Sequence, residues 1–228
     1  MLAGEADVIL PDWPAANGSP RHRLRRGQLA YYPADFPHTI EAVGERPASY
    51  LMLKWSGPAS GSAAPLGASI HDLELDRPLE AGEGAVRLIL EGPTRWLGRL
   101  HAHLSTRRLG TGYEAHVDAH DVILVTLEGH VETLGTSVGP HHVVVYGAGE
   151  LHGLRGAASG TARYVVFEFD GPPSTGAPPL PGKAPPSPVA AANPVSAAPR
   201  PLPLRVALSV LAHSAVFWLR GLPRRFRG

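Results

Sequence analysis

The chain has no cysteine. Disulfides, thiolate zinc sites, iron–sulfur clusters and cysteine nucleophiles are therefore excluded, and redox chemistry says nothing about its compartment. Charge of one sign is lacking too: 21 Lys and Arg stand against 20 Asp and Glu, a formal +1. Nucleic-acid binding needs a clustered basic face, so no such partner is expected. Residues 1–5 lack the basic start and apolar run of a cleavable signal peptide, and a cytoplasmic location is expected. No Gly-x-Ser-x-Gly elbow, P-loop or dinucleotide fingerprint occurs. Before Leu204 no helical apolar period persists for three turns.

What remains is globular material with unusual punctuation. The 228 residues are 43% hydrophobic and 18% charged, enough for one large domain or two small ones. Gly 26 and Pro 24 demand a turn-rich fold, an unfolded segment, or both. Twelve histidines supply the commonest metal-binding side chain.

The prolines are unevenly spread: twelve of the 24 fall in residues 171–203, which predicts an extended, polyproline-like tether. Residues 204–228 follow, with five arginines and no acid, leaving a formal −4 elsewhere. Between Arg205 and Arg220 only 14 residues are uncharged, too few for an ordinary spanning helix. As a helix, this tail places Arg205, Ser209, His213 and Arg220 opposite Leu208, Leu211, Val216 and Leu219. That pattern suits peripheral contact with anionic lipid, or docking on a protein surface.

The body up to Asp170 reads as β throughout. Short runs at 28–32, 49–55, 85–90, 100–105, 122–127, 142–146 and 163–169 are rich in Val, Ile, Leu, Tyr and Phe, with Gly, Pro or Asp close to most of them. Many short strands predict a sandwich or barrel. Within them an internal echo appears. Residues 26–38 and 138–152 each carry a strand ending at a Tyr, a tight turn, and a His six residues beyond that Tyr: Tyr32 and His38, then Tyr146 and His152. In each, a second strand opens Ala-x-Tyr, at 48–50 and 162–164.

These residues resemble the cupin family in its two-barrel (bicupin) form. Gly27, Pro33, Asp35 and His38 fit the family's second motif, with Asp35 for a Gly. His141, Gly147, Gly149 and His152 repeat it, with two departures. Gly110, His116, Asp118, Val122 and Gly129 occupy the first motif, with Asp118 for its second His and Val122 for its Glu. The resemblance implies an all-β chain of double-stranded β-helix (jelly-roll) barrels. It divides into a partial first barrel (1–56), an inter-barrel segment contributing strands (57–94) and a second barrel (95–170), before the Pro-rich linker and a C-terminal helix. The first copy is expected to be truncated, its His-bearing strand falling before Met1, so His38 is expected to line a pocket.

In the second barrel the candidate metal ligands are His116, Asp118, His120 and His152. Alternate residues of a strand share a face, so 116, 118 and 120 are expected to point together. The resemblance puts His116 and His152 in the barrel mouth. Two imidazoles and a carboxylate suit one divalent ion, Fe, Mn, Ni or Zn, with His120 as an alternative nitrogen ligand. The other reading is a metal-free pocket in which His116, His152 and Tyr146 offer hydrogen bonds among apolar walls, suited to a sugar or small organic acid, with His38 and His103 as further expected pocket residues. His101 and His103 share a strand face, in chelate geometry or as an ordinary polar face. His141 and His142 are expected in an exposed turn. Cupins include isomerases, dioxygenases and non-enzymatic sensory or binding proteins, so the resemblance leaves enzyme and binding module both open. It also implies a homodimer through sheet edges.

Overall fold

The computed structural model describes residues 1–59, 61–62, 64–77, 84–108, 110–156, 160–171 and 205–212, the last as backbone alone. The expected tether beyond Gly171 and residues 213–228 lie outside the described residues. Every regular element among the described residues is a strand. The first half carries β1 (Glu5–Ile9), β2 (Arg21–Arg25), β3 (Gln28–Tyr31), β4 (Thr39–Ala42), β5 (Ser49–Ser56) and β6 (Ser69–Asp72). The second carries β7 (Val86–Gly92), β8 (Arg99–Arg108), β9 (Gly112–Val117), β10 (Asp121–Glu128) and β11 (Val131–Thr133). It continues with β12 (Thr136–Val138), β13 (Val143–Tyr146), β14 (Leu151–Gly156) and β15 (Thr161–Asp170), and β16 (Arg205–Ala212) is the last described strand.

In the second half a five-stranded sheet, β13-β10-β15-β8-β7, accompanies a four-stranded one, β12-β11-β14-β9. Residues 122–127 of β10 are all buried, because both faces of the larger sheet are covered. Val122 and Leu124 join a core with Val131, Tyr146, Leu154 and Tyr164. Ile123, Val125 and Leu127 join another, with Leu100, Val165, Phe169 and, from the first half, Tyr31 and Leu73. Each such side chain contributes about 1.5–3 kcal/mol by leaving water. A smaller cluster of Val8, Leu10 and Leu24 serves the β2-β1-β4 sheet. There, clean alternation in β2 buries His22 and Leu24 and exposes three arginines.

The halves are stitched by polar groups as well. The buried Arg163 guanidinium donates to the carbonyls of Leu75 and Arg77, and Arg26 pairs with Glu128 at 2.7 Å. Segment 57–94 gives β6 to β3 and β7 to β8. The internal echo recurs as backbone geometry. The Phe36 N–H bonds to Pro33 O (3.4 Å) and the Glu150 N–H to Gly147 O (3.0 Å). Asp35 (φ 64°) and Gly149 (φ 83°) take the same left-handed third position, where Asp is among the few tolerated substitutes for Gly.

The C-terminal segment departs from expectation. Where a helix over 204–228 was expected, residues 205–212 form a strand antiparallel to β5, in register from Arg205↔Ser56 to Ala212↔Ser49. Val206, Leu208 and Val210 fall opposite Trp55, Leu53 and Leu51. A short Val- and Leu-rich run fits either period, and an isolated helix this short is marginal. The β5 edge supplies the backbone partners that decide for the strand. No helix of the described residues is long and apolar enough to cross a membrane.

Candidate metal centre

Strands β9 and β14 bring the two histidines together. His116 and His152 are directly paired in register, their ring centroids 4.6 Å apart. The partners then slip: Leu154 opposes Tyr113, so β9 carries an extra residue at Glu114–Ala115. Such a bulge re-aims the neighbouring side chain. Its Glu114 carbonyl accepts from His116 Nδ1 at 3.1 Å, and the Glu150 carbonyl accepts from His152 Nδ1 at 3.0 Å. A carbonyl only accepts, so both rings carry hydrogen on Nδ1, which leaves Nε2 as the atom that can ligate.

Both Nε2 atoms face one carboxylate oxygen. Asp118 Oδ2 lies 3.5 Å from His116 Nε2 and 3.4 Å from His152 Nε2. The three ligating atoms lie within 4.8 Å of one another. Three lone-pair donors converging on one point repel unless a cation or protons sit among them. The set therefore fits a divalent ion held by two imidazoles and one carboxylate, with coordination positions left open. Side-chain exposure falls from 37% at His116 to 3% at His152, so the site opens on the His116 side.

Tyr146 anchors the inner histidine. Its ring stacks on His152 at 4.3 Å and 12°, and its hydroxyl meets Thr133 Oγ1 at 2.6 Å. Thr133 donates onward to Gly153 O at 2.8 Å, so the Tyr146 hydroxyl is the donor in the first bond. Burial pushes the Tyr146 hydroxyl above its ordinary pKa, which keeps it a donor. Val122, where the cupin pattern has Glu, is buried in the barrel core, so no carboxylate enters from β10 at that position.

His120 does not join this group. Strand β9 ends at Val117, and a bend at Ala119–His120 breaks the alternation that would have aligned 116, 118 and 120. His120 Nδ1 instead meets Asp170 at 2.8 Å, and its Nε2 lies 3.4 Å from Glu168. Burial pushes the His120 pKa down, but the hydrogen bonding and charges of Asp170 and Glu168 outweigh it and raise it to about 9. Burial likewise pushes Glu168 up, and His120 with the charges of His101 and Arg99 brings it down to about 2.

The three expected pocket residues separate. Tyr146 lies in the barrel core, and His103 on β8 sits beside His101. His38 belongs to the first half, tilted against Tyr32 at 4.4 Å. There it lines a mainly apolar cavity of about 450 Å³, with Tyr32, Tyr50, Met52 and Trp96. His38 follows its own copy of the turn, which carries it away from the second copy's histidine. His141 and His142 lie in an exposed turn. Glu168 is the residue that sequence reading missed. A charged side chain inside the apolar run of β15 was its one local signal.

No family model matches the sequence, and no curated protein does. Solved structures do resemble it. A cupin 2 conserved barrel domain protein from Leptotrichia buccalis is 12% identical, with 74% of this chain and 71% of that chain covered and a TM-score of 0.46. A cupin superfamily protein from Desulfitobacterium hafniense is 15% identical, with 40% and 84% covered and a TM-score of 0.35. The polyketide cyclase RemF from Streptomyces resistomycificus is 16% identical, with 40% and 68% covered and a TM-score of 0.34. At these values no activity passes from those proteins to this one.

Proposed function

We propose that residues 95–170 form a cupin-type barrel that holds one divalent metal ion through His116, Asp118 and His152 and binds a small polar ligand, an organic acid or sugar, at its mouth. The convergence of two Nε2 atoms on one Asp118 oxygen carries this reading. The core beneath is filled by Leu124, Val131, Leu154 and Tyr164, which confines the ligand to the rim and keeps it small. An ion there supplies Lewis acidity toward a carboxylate or hydroxyl oxygen. The chain's own part is positional: backbone carbonyls fix both imidazole tautomers, and Tyr146 holds His152 flat. Residues 1–56 are read as a partial counterpart of this barrel, supported by the repeated turn at Asp35 and Gly149.

Val122 favours a second reading, a metal-free binding module, because it removes a carboxylate that the family pattern supplies. Metal analysis after loading with Zn(II) or Mn(II) and dialysis separates the two. Loss of about one equivalent in Asp118→Asn and in His152→Ala supports the metal centre. Unchanged metal content in both variants overturns it.

A further inference from the structure

A second set of ligating atoms lies on the larger sheet. His101 and His103 occupy alternate positions of β8, and Glu168 is paired with His101 in register on β15. Leu100, Ala102 and Leu104 pack into the core shared with the first half, so the histidines face the other way, on the barrel side of the sheet. One ligating atom from each of His101, His103 and Glu168 falls within 4.8 Å of the others. All three are only partly buried, so an ion has access.

The hydrogen bonding around His101 is that of a supported metal ligand. Its Nδ1 meets Glu91 Oε2 on β7 at 2.5 Å, and a carboxylate partner places the proton on Nδ1 and turns Nε2 inward. Nε2 then lies 2.9 Å from His103 Nδ1, two ring nitrogens sharing a single proton. Arg99 braces the carboxylates, reaching Glu91 at 3.1 Å, Glu168 at 2.9 Å and Asp170 at 2.6 Å. Three carboxylates, Glu91, Glu168 and Asp170, thus gather around Arg99, and His120 approaches the last two from the other side.

We infer that His101, His103 and Glu168 form a second divalent-metal site, with Glu91 orienting His101 from behind. The ion replaces the proton between the rings, and His103 then carries its hydrogen on Nε2. Two imidazoles and a carboxylate select a zinc- or cobalt-like ion over calcium or magnesium. The site shares no ligand with the His116 group, so it stands or falls separately.

Equilibrium dialysis of the full chain against Zn(II), followed by elemental analysis, tests it. The wild type is expected to hold about two ions and His101→Gln about one, while Asp118→Asn also holds about one. The double variant holds none. Glu91→Gln leaves all ligands in place and is expected to weaken Zn(II) binding at this site about 10–100-fold. A wild type with one ion, lost in Asp118→Asn and kept in His101→Gln, overturns the inference and upholds the His116 centre. One ion lost in His101→Gln and kept in Asp118→Asn does the reverse. Unchanged Zn(II) affinity in Glu91→Gln, with far-ultraviolet circular dichroism intact, also counts against it and leaves Glu91–His101–His103 a proton-sharing chain.

Discussion

Tyr146 lies flat on His152, six residues later in the chain, at 4.3 Å between ring centroids; Tyr32 and His38, at the same spacing, sit 4.4 Å apart. The contact follows from the turn between them. A left-handed third residue reverses the chain so that the histidine returns over the tyrosine. In the second copy, the histidine then enters β14 and reaches β9. In the first, His38 stops just short of β4 and remains exposed.

Removing the Tyr146 hydroxyl and removing its ring are expected to differ. Tyr146→Phe keeps the stack and loses one hydrogen bond, a cost of about 0.5–1.5 kcal/mol in urea unfolding. Tyr146→Ala opens a cavity and costs about 3–5 kcal/mol. It also releases His152, so Zn(II) uptake falls in the alanine variant and not in Tyr146→Phe. Equal Zn(II) binding by both variants would show that the ring does not position the ligand.

Gly112 sits where β9 lies tightly against β14. A Cβ there would lie 2.0 Å from the Leu154 carbonyl oxygen and 2.8 Å from the Arg155 Cα. Both are backbone atoms and cannot swing aside. Gly112→Ala is expected to destabilise by about 1–3 kcal/mol and to reduce metal content by parting the strands that carry His116 and His152. Thermal melting and elemental analysis of one preparation check both effects.

Asp7 gives the first half an acid-sensitive contact. It pairs across β1 and β2 with Arg23 at 2.6 Å, and this hydrogen bond, with the charges of Arg23 and Arg21, holds its pKa below 3.8 against the opposing effect of burial. The group is depressed on folding, so its stabilisation is complete above 3.8 and is lost as pH falls through the lower native value. Asp7→Asn is expected to lower stability at neutral pH and to flatten the acid limb of a urea-midpoint series. An unchanged acid limb would remove Asp7 from the account.

The β16 ladder predicts a hydrogen-exchange pattern. Amides of β5 that point toward β16 should exchange slowly in the full chain. Leu208→Pro, opposite Leu53, puts a strand-breaking residue in the middle of the ladder and should speed them. Protection that survives this substitution would mean that β5 is covered by something else.

Much of the β pattern was legible because it is local. Runs at 49–55, 122–127 and 163–169 emerge as strands within a residue or two, since Val, Ile and aromatic residues bounded by turn residues leave few alternatives. The meeting of His116 and His152 was legible through motif spacing. His120 was misplaced because alternation was extended past Val117 into a bend. Glu168 escaped because its partner strand lies more than sixty residues away, and register across such a gap is set by packing rather than by neighbours. Residues 205–212 were misread because eight apolar-rich residues fit two periods, and only the β5 edge chooses between them.

The sheet that carries β10 and β15 is a party wall, with a hydrophobic room on either side. An attempt to express residues 95–170 alone would strip one room and leave Ile123, Val125, Val165 and Phe169 facing solvent. The halves are therefore not cassettes: the exchange of one half for a foreign one would have to bring its own plaster for that wall.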